Sequence, residues 1–184
     1  MSADLLENYA FLARYNRWFN VRLYAACEKL SDADRQSDRG AFFKSIHHTL
    51  QHIVWGDKMW LQRFASQGVP FNALPAALLQ LPEGASYTAD LFLDWDEMRA
   101  ARGQIDAAIQ SWLADMPVSF ITQTMRYGNT KGVQRAHPMW QALSHFFNHQ
   151  THHRGQVTTL LAQAGVDVGV TDLIALVEQP EMNQ

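Results

Sequence analysis

Two clusters of histidine stand far apart along the sequence. The first spans His47–His52, the second spans His145–His153, and of the eight histidines only His137 lies outside both. On a helix, His149 and His153 would share one face, since four residues advance about 400° around the axis and roughly 6 Å along it. Two imidazoles so placed can bind one metal ion, but a zinc-like ion needs at least three protein ligands. The pattern therefore predicts a metal site that bridges two helices.

The residues around the histidines narrow the chemistry. In the zinc-protease motif H-E-x-x-H a glutamate follows the first histidine as general base, whereas Gln150 follows His149 here. Cys27 is the single cysteine, which excludes a multi-thiolate site and an intramolecular disulfide. Histidines four residues apart also occur by chance on solvated faces or with backbone partners. The second cluster and the apolar flanks favour metal binding over that alternative.

Length and composition indicate a single globular domain over residues 1–184. The hydrophobic content is 47% and the charged content 18%, as in soluble proteins. A net charge of −3 provides no basic surface for nucleic acid. No apolar run reaches the ~18 residues of a membrane helix, and no basic-then-apolar leader opens the chain. With the lone cysteine, these features predict a cytoplasmic protein.

Apolar residues alternate at spacings of three and four along much of the chain, which predicts an all-α bundle of four amphipathic helices. The predicted helices cover about Ala3–Lys29, Ala41–Ser66, Ala89–Met116 and Pro138–Gly165. Prolines between Gly68 and Thr88 predict a long connection that can cross the whole bundle. The second and third helices are therefore expected either to be parallel neighbours or to lie diagonally across the bundle. Smaller predicted elements are a β-hairpin within Val118–His137, with strand-like Phe120–Met125 and a turn near Gly128 and Asn129, and a short helix at Thr171–Val177.

Three polar residues interrupt the apolar seams of these helices: Asn16, Asp57 and Arg102. One interpretation pairs Asp57 with Arg102 inside the bundle. Another has Asn16 hydrogen-bond a bound ligand and Arg102 meet an anionic group of a substrate. If the first two helices are antiparallel neighbours, Asn16 and His52 lie at similar depth, and Gly56 leaves room above His52.

The first helix carries a second apolar stripe formed by Phe11, Tyr15 and Trp18. A four-helix bundle needs one stripe per helix, and large exposed apolar patches are unusual on monomers. The stripe predicts a homodimer through the first or third helix. The alternative is that the Val166–Gln184 tail covers it.

Several segments resemble the DinB family of the DinB/YfiT-like superfamily. They are S-I-H-H-T-L-Q-H-I-V-W-G-D-K-M-W-L-Q-R-F, F-F-N-H-Q-T-H-H-R-G-Q-V, A-G-V-D-V-G-V-T-D-L and Y-N-R-W-F-N. The resemblance implies an up-down-down-up four-helix bundle and one divalent ion, nickel or zinc, bound by His52, His149 and His153. It implies that His48 and His145 are neighbours of the ligands, while His47 and His152 point elsewhere.

Relatives in the wider superfamily include thiol-dependent S-transferases. The resemblance therefore implies a metal-dependent transferase or hydrolase that acts on a small molecule, with a low-molecular-weight thiol as a candidate cosubstrate and no contact with DNA. The other class of function is a non-catalytic stress-response protein that binds a metal or a ligand. An open coordination position would favour the enzyme, and a fourth protein ligand would favour the binding protein.

Overall fold

The computed structural model describes residues 2–88, 90–129 and 131–177. Four long helices form a bundle: α1 (Ser2–Cys27), α3 (Ile46–Ala65), α5 (Trp95–Ala114) and α7 (Met139–Gln163). The connections between them contain the short helices α2 (Asp32–Gln36), α4 (Ala76–Leu79) and α6 (Val118–Thr122), and a hairpin of β1 (Thr124–Gly128) and β2 (Gln134–Pro138). The short helix α8 (Leu173–Val177) follows α7.

The side-chain contacts define the helix directions. Arg17 bonds Gln110 and Glu28 bonds Arg99, so α1 and α5 are antiparallel. Asp57 pairs with Arg102, and Phe64 stacks on Trp112 further along both helices, so α3 and α5 are parallel. His52 faces His153 while Phe64 faces Phe146, so α3 and α7 are antiparallel. The predicted all-α bundle with its up-down-down-up order is confirmed.

The arrangement of neighbours differs from the sequence expectation in one respect. Among the long helices, α1 packs mainly on α5 and α7, and α3 packs on α7 and α5. Helices α1 and α3 therefore lie diagonally across the bundle rather than side by side. As a result Asn16 meets Asp106 and Arg154 instead of approaching His52.

Two predicted helix starts are displaced by capping residues. Helix α3 begins at Ile46 rather than Ala41, because the Ser45 side chain accepts a hydrogen bond from the His48 backbone N–H. Helix α5 begins at Trp95, where Asp94 caps the Glu97 N–H. The predicted start at Ala89 lies outside the described residues. Residues 41–44 instead form a turn in which Lys44 has a left-handed φ of 65°.

The region predicted to be strand-like begins as a helix. Pro117 precedes the single turn α6, which buries Phe120 and Ile121 in the core, so the predicted strand at 120–125 is wrong over its first four residues. The hairpin itself is confirmed, with Thr124 opposite Pro138 and Gly128 opposite Gln134.

The hairpin rests on the bundle. The Gln67 side chain accepts a hydrogen bond from the Arg126 N–H and donates one to the Arg126 carbonyl, both at 3.0 Å. The Arg63 guanidinium lies over the Tyr127 ring, 4.6 Å from its centroid. An isolated hairpin is only marginally stable in water, so these contacts supply part of its stability.

The C-terminal segment covers the second stripe of α1. The Tyr15 hydroxyl donates to the Thr171 carbonyl at 2.7 Å, and Phe11 and Trp18 pack partly buried against the same cluster as Leu173. This is the alternative to a subunit contact through the second stripe, whereas the homodimer itself stays a prediction. Helix α8 starts at Leu173 rather than Thr171, and residues 178–184 lie outside the described residues. None of the described helices combines the length and apolar character required to cross a bilayer.

A buried polar layer separates the two apolar halves of the core. Arg102 is at its centre, with its guanidinium 2.5 Å from Asp57 Oδ2 and 2.8 Å from Asp106 Oδ1. Asn16 and Asn20 each donate to Asp106 at 3.0 Å. The interpretation that pairs Asp57 with Arg102 inside the bundle is confirmed.

We expect Arg102→Met to lower the free energy of unfolding by about 3–5 kcal/mol, because it leaves two carboxylates buried without their shared counter-charge. Urea denaturation measures this loss. Arg99→Met is the matched control on the same helix, since Arg99 and its partner Glu28 are 52% and 40% exposed, and it should cost less than about 1 kcal/mol. Equal losses in the two variants would contradict a special role for the buried pair.

Candidate metal centre

Three histidines from two helices converge at one place. His52 of α3 meets His149 and His153 of α7, and one ligand nitrogen from each lies within 4.8 Å of the other two. The Nε2 atoms of His52 and His149 are 3.1 Å apart. Three nitrogens bound to one ion at about 2.1 Å would be separated by about 3.0–3.4 Å. The histidines brought together are the three that the resemblance implies.

Hydrogen bonds at the far side of two rings orient their lone pairs. His52 Nδ1 lies 3.2 Å from the Tyr87 carbonyl oxygen, and His153 Nδ1 lies 2.8 Å from Gln156 Oε1. Both oxygens are acceptors, so each Nδ1 carries the proton and donates it. The unprotonated Nε2 atoms then face the cluster, the arrangement in which histidine ligands are normally held.

Gly56 provides the space that the third ring occupies. A Cβ atom at this position would lie 2.8 Å from His149 Cε1. Any other residue would therefore displace the imidazole from its place between α3 and α7. The sequence expectation assigned this space to His52, and the structure shows that it serves His149 instead.

Burial keeps the three imidazoles neutral. Desolvation, reinforced by the neighbouring His153, lowers the pKa of His52 to about 4, although the bond to the Tyr87 carbonyl acts in the opposite direction. Desolvation and the adjacent histidines lower the pKa of His149 to about 3. The pKa of His153 is also lowered, chiefly by burial. At neutral pH the cluster therefore presents lone pairs rather than charge, which is the state that binds a metal ion.

Aromatic rings pack against the imidazole ring of His52. The Phe43 ring stacks on His52 with 4.1 Å between centroids and meets His153 edge-on at 5.5 Å. Trp55 stacks on His52 from one turn further along α3, at 6.0 Å. These rings restrict the movement of His52 and exclude water from its faces.

The remaining histidines of the two clusters have other contacts. His48 bridges Ser45 and Asp90, and His47 Nε2 lies 2.9 Å from the Phe92 carbonyl. His145 packs on Trp60, with 4.9 Å between ring centroids, and His152 is exposed. Within the described part of the chain none of these joins the converging group, as expected from their positions around the helices.

The residues that follow two of the histidines anchor α7 to the polar layer. Gln150 Nε2 donates to Asp57 Oδ1 at 2.7 Å, and Arg154 donates to the Asn16 side-chain oxygen. Each lies about 100° around the helix from the preceding histidine. This second face therefore fixes the rotation of α7, and with it the direction in which His149 and His153 point.

The two residues predicted to bind substrate belong to that layer. Asn16 is 1% exposed and Arg102 is 3% exposed, and the side chains of both have internal partners. Burial alone lowers the pKa of Arg102, but the carboxylates of Asp106 and Asp57 outweigh it and raise the pKa above its usual value. Their role in substrate binding stays a prediction.

Several contributors to the site were missing from the sequence interpretation, among them Asp106, Gln156, Phe43 and Tyr87. Asp106 and Gln156 had a signal, since Asp106 is four residues after Arg102 and Gln156 is three after His153. Phe43 and the Tyr87 carbonyl had none, because both lie in irregular segments whose path follows from tertiary packing.

The fold and the site together define a class of protein. Its members are helical bundles of up-down-down-up order with a three-histidine cluster between the helices that correspond to α3 and α7. The model of the DinB family matches residues 1–182, and the chain belongs to that family. It is 27% identical over 175 residues to the "Protein DinB" of Bacillus subtilis (strain 168), an alignment that covers 91% of this chain and 92% of that protein. No solved structure matches the chain.

The depressed pKa values give the metal-free protein a specific pH dependence. Because the unfolded chain takes up protons on these histidines near pH 6.5 and the folded chain only near 4 and 3, stability is complete above pH 6.5 and falls progressively below it. We expect the urea midpoint of chelator-treated protein to drop from pH 7 to pH 5. His149→Phe, which retains a ring but not the titrating nitrogens, should show a shallower drop. Identical slopes would contradict the buried neutral state of His149.

Proposed function

We propose that His52, His149 and His153 bind one divalent ion, nickel or zinc, and that the protein is a metal-dependent enzyme acting on a small molecule. The observation that carries the proposal is the convergence of three neutral imidazoles whose ligand nitrogens lie within 4.8 Å of one another. Imidazole donors suit both metals.

The number of ligands supports catalysis over a purely structural role. No other histidine, cysteine or carboxylate joins the three-histidine group among the described residues. Structural zinc sites are closed by four protein ligands, whereas catalytic sites have three and an open position. When bound, the ion supplies Lewis acidity and lowers the pKa of a water or thiol in that position.

The protein's own residues have separate tasks in this proposal. Tyr87 and Gln156 hold the protons at Nδ1 of His52 and His153, and Gly56 admits the ring of His149. Phe43 excludes water from the ring of His52. Transfer to a low-molecular-weight thiol and hydrolysis are the two reaction classes that we propose.

The second candidate is a non-catalytic stress-response protein that binds a metal or a ligand. The observation that favours this candidate is the burial of the cluster beneath Phe43, since Phe43 is 9% exposed and His52 is 8% exposed. A turnover screen of metal-loaded protein with small thiols and electrophiles separates the two candidates. Turnover that disappears in His149→Ala supports the enzyme, and full metal occupancy without any turnover supports the binding protein.

We further propose a cytoplasmic homodimer. Burial raises the pKa of the free thiol of Cys27 to about 12, which suits a structural cysteine in a reducing compartment. Val21, 61% exposed, lines a groove between α1 and α5 that offers a subunit contact. Light scattering should give twice the chain mass of 21.0 kDa, and Val21→Glu should shift it towards the monomer. A monomeric mass for the wild type would refute the dimer.

We expect His149→Ala and Gly56→Ala to weaken metal binding at least roughly tenfold, since even changes around metal ligands cost 10–100-fold. The first removes a ligand and the second displaces it. Affinity is measured by competition with a chelator, and metal content by elemental analysis. Gly56→Ala should not lower metal-free stability much, because alanine favours a helix over glycine by about 0.8–1.0 kcal/mol.

Two controls match these variants. Gly155→Ala changes a glycine of the same motif where an added Cβ meets no atom within 4 Å, and His152→Ala removes an exposed histidine next to a ligand. Both should bind the ion as the wild type does. Equal affinity in all four variants would overturn the assignment of the ligands.

A further inference from the structure

A cavity of about 300 Å³ lies beside the histidine cluster. It is lined by Phe42, Phe43, Lys44, His48, Tyr87, Thr88 and Asp90. Two of these residues also touch the cluster. The Phe43 ring stacks on the His52 ring, and the Tyr87 carbonyl accepts the hydrogen bond from His52 Nδ1–H. A molecule in the cavity would therefore lie against the candidate metal centre, with Phe43 between them.

Aromatic rings are presented to this cavity with large exposed surfaces. Phe42 is 75% exposed and Tyr87 is 51% exposed. The Phe42 ring is held edge-on against Phe43 at 4.8 Å, and the Tyr87 ring edge-on against Trp55 at 6.5 Å. Oriented rings of this kind offer faces and edges to a planar ligand.

The two charged side chains that line the cavity differ in their partners. Asp90 is already paired with His48, whose Nε2 lies 3.0 Å from Asp90 Oδ1. Lys44 has no hydrogen bond or ion pair from its ammonium group to the described residues. The ammonium group of Lys44 is thus the charged group on the lining that is left without a partner and can meet an anionic group of a ligand.

The turn that carries Phe42, Phe43 and Lys44 is held in a defined shape. Lys44 N–H donates to the Ala41 carbonyl and Arg39 N–H donates to the Lys44 carbonyl, both at 2.8 Å. Lys44 has a φ of 65°, which is uncommon for a residue other than glycine and costs free energy. The backbone of the turn therefore fixes the positions from which Phe42, Phe43 and Lys44 extend their side chains.

We propose that this cavity binds the planar aromatic ring of a small molecule that carries one carboxylate, with the ring between Phe42 and Tyr87 and the carboxylate at Lys44. The proposal rests on the proposed function, for which it names the substrate class. The cavity volume is at the lower end of the range for ligand sites, about 300–1,000 Å³. It therefore suits a ligand of one or two rings.

The test is calorimetric titration of the metal-loaded, full-length protein with 2-naphthoate. Two further probes separate the contributions: 2-naphthylmethylamine reverses the charge, and decahydro-2-naphthoate removes the aromatic ring. We expect saturable binding of one 2-naphthoate per chain and binding of both other probes weaker by roughly tenfold or more. Tighter binding of the amine would overturn the substrate class.

Two variants and two matched controls test the site. Lys44→Asn removes the charge and tolerates the left-handed backbone, and Phe42→Ala removes an exposed ring; each should weaken 2-naphthoate binding by roughly tenfold. Lys131→Asn and Trp140→Ala remove an exposed charge and a 42% exposed ring elsewhere, and should have no effect. Thermal unfolding confirms that every variant is folded.

The metal content of each sample separates this proposal from the proposed function. Binding that persists in metal-free protein and weakens in Lys44→Asn supports the cavity even if no ion is ever retained. Binding that needs the ion and ignores both cavity variants would place the carboxylate on the metal and overturn the proposal. Full metal occupancy without 2-naphthoate binding up to millimolar concentration would overturn it as well.

Discussion

Two carboxylates and two guanidinium groups are buried together at the middle of the bundle. Asp57 comes from α3, Arg102 and Asp106 from α5, and Arg154 from α7. A charge removed from water is tolerated only when its partners are well placed, so each helix is confined to the depth and rotation at which the pairs form. The constraint reaches the metal site directly, because Gln150 and Arg154 follow two of its histidines in sequence.

The histidine cluster is consequently held from two sides. Behind it, the polar layer sets the orientation of α7. In front, Phe43 and the Tyr87 carbonyl restrain His52, while Gln156 restrains His153 from one turn along its own helix. Most of these contacts come from residues that would not themselves touch an ion, which is the usual way in which metal ligands are oriented.

The sequence could predict what periodicity and local spacing encode. Four helices, the hairpin and the three converging histidines follow from apolar spacing and from the resemblance to a family motif. The errors have local physical causes: Ser45 caps α3 although the apolar pattern continues back to Ala41, and burial of Phe120 and Ile121 in a helical turn outweighs their strand propensity. The contacts of Asn16 could not be predicted, because they depend on which helices are diagonal.

The polar layer also makes the balance of buried charge depend on the last long helix. Arg154 is the last of the four charged groups in the sequence, and it bonds Asn16 across 138 residues of chain. Without α7, the three earlier long helices carry two carboxylates against the single guanidinium of Arg102, so a closed core of these helices alone would bury unbalanced charge. The helix that restores the balance also brings His149 and His153. A charge-balanced core and a complete histidine cluster therefore depend on the same helix.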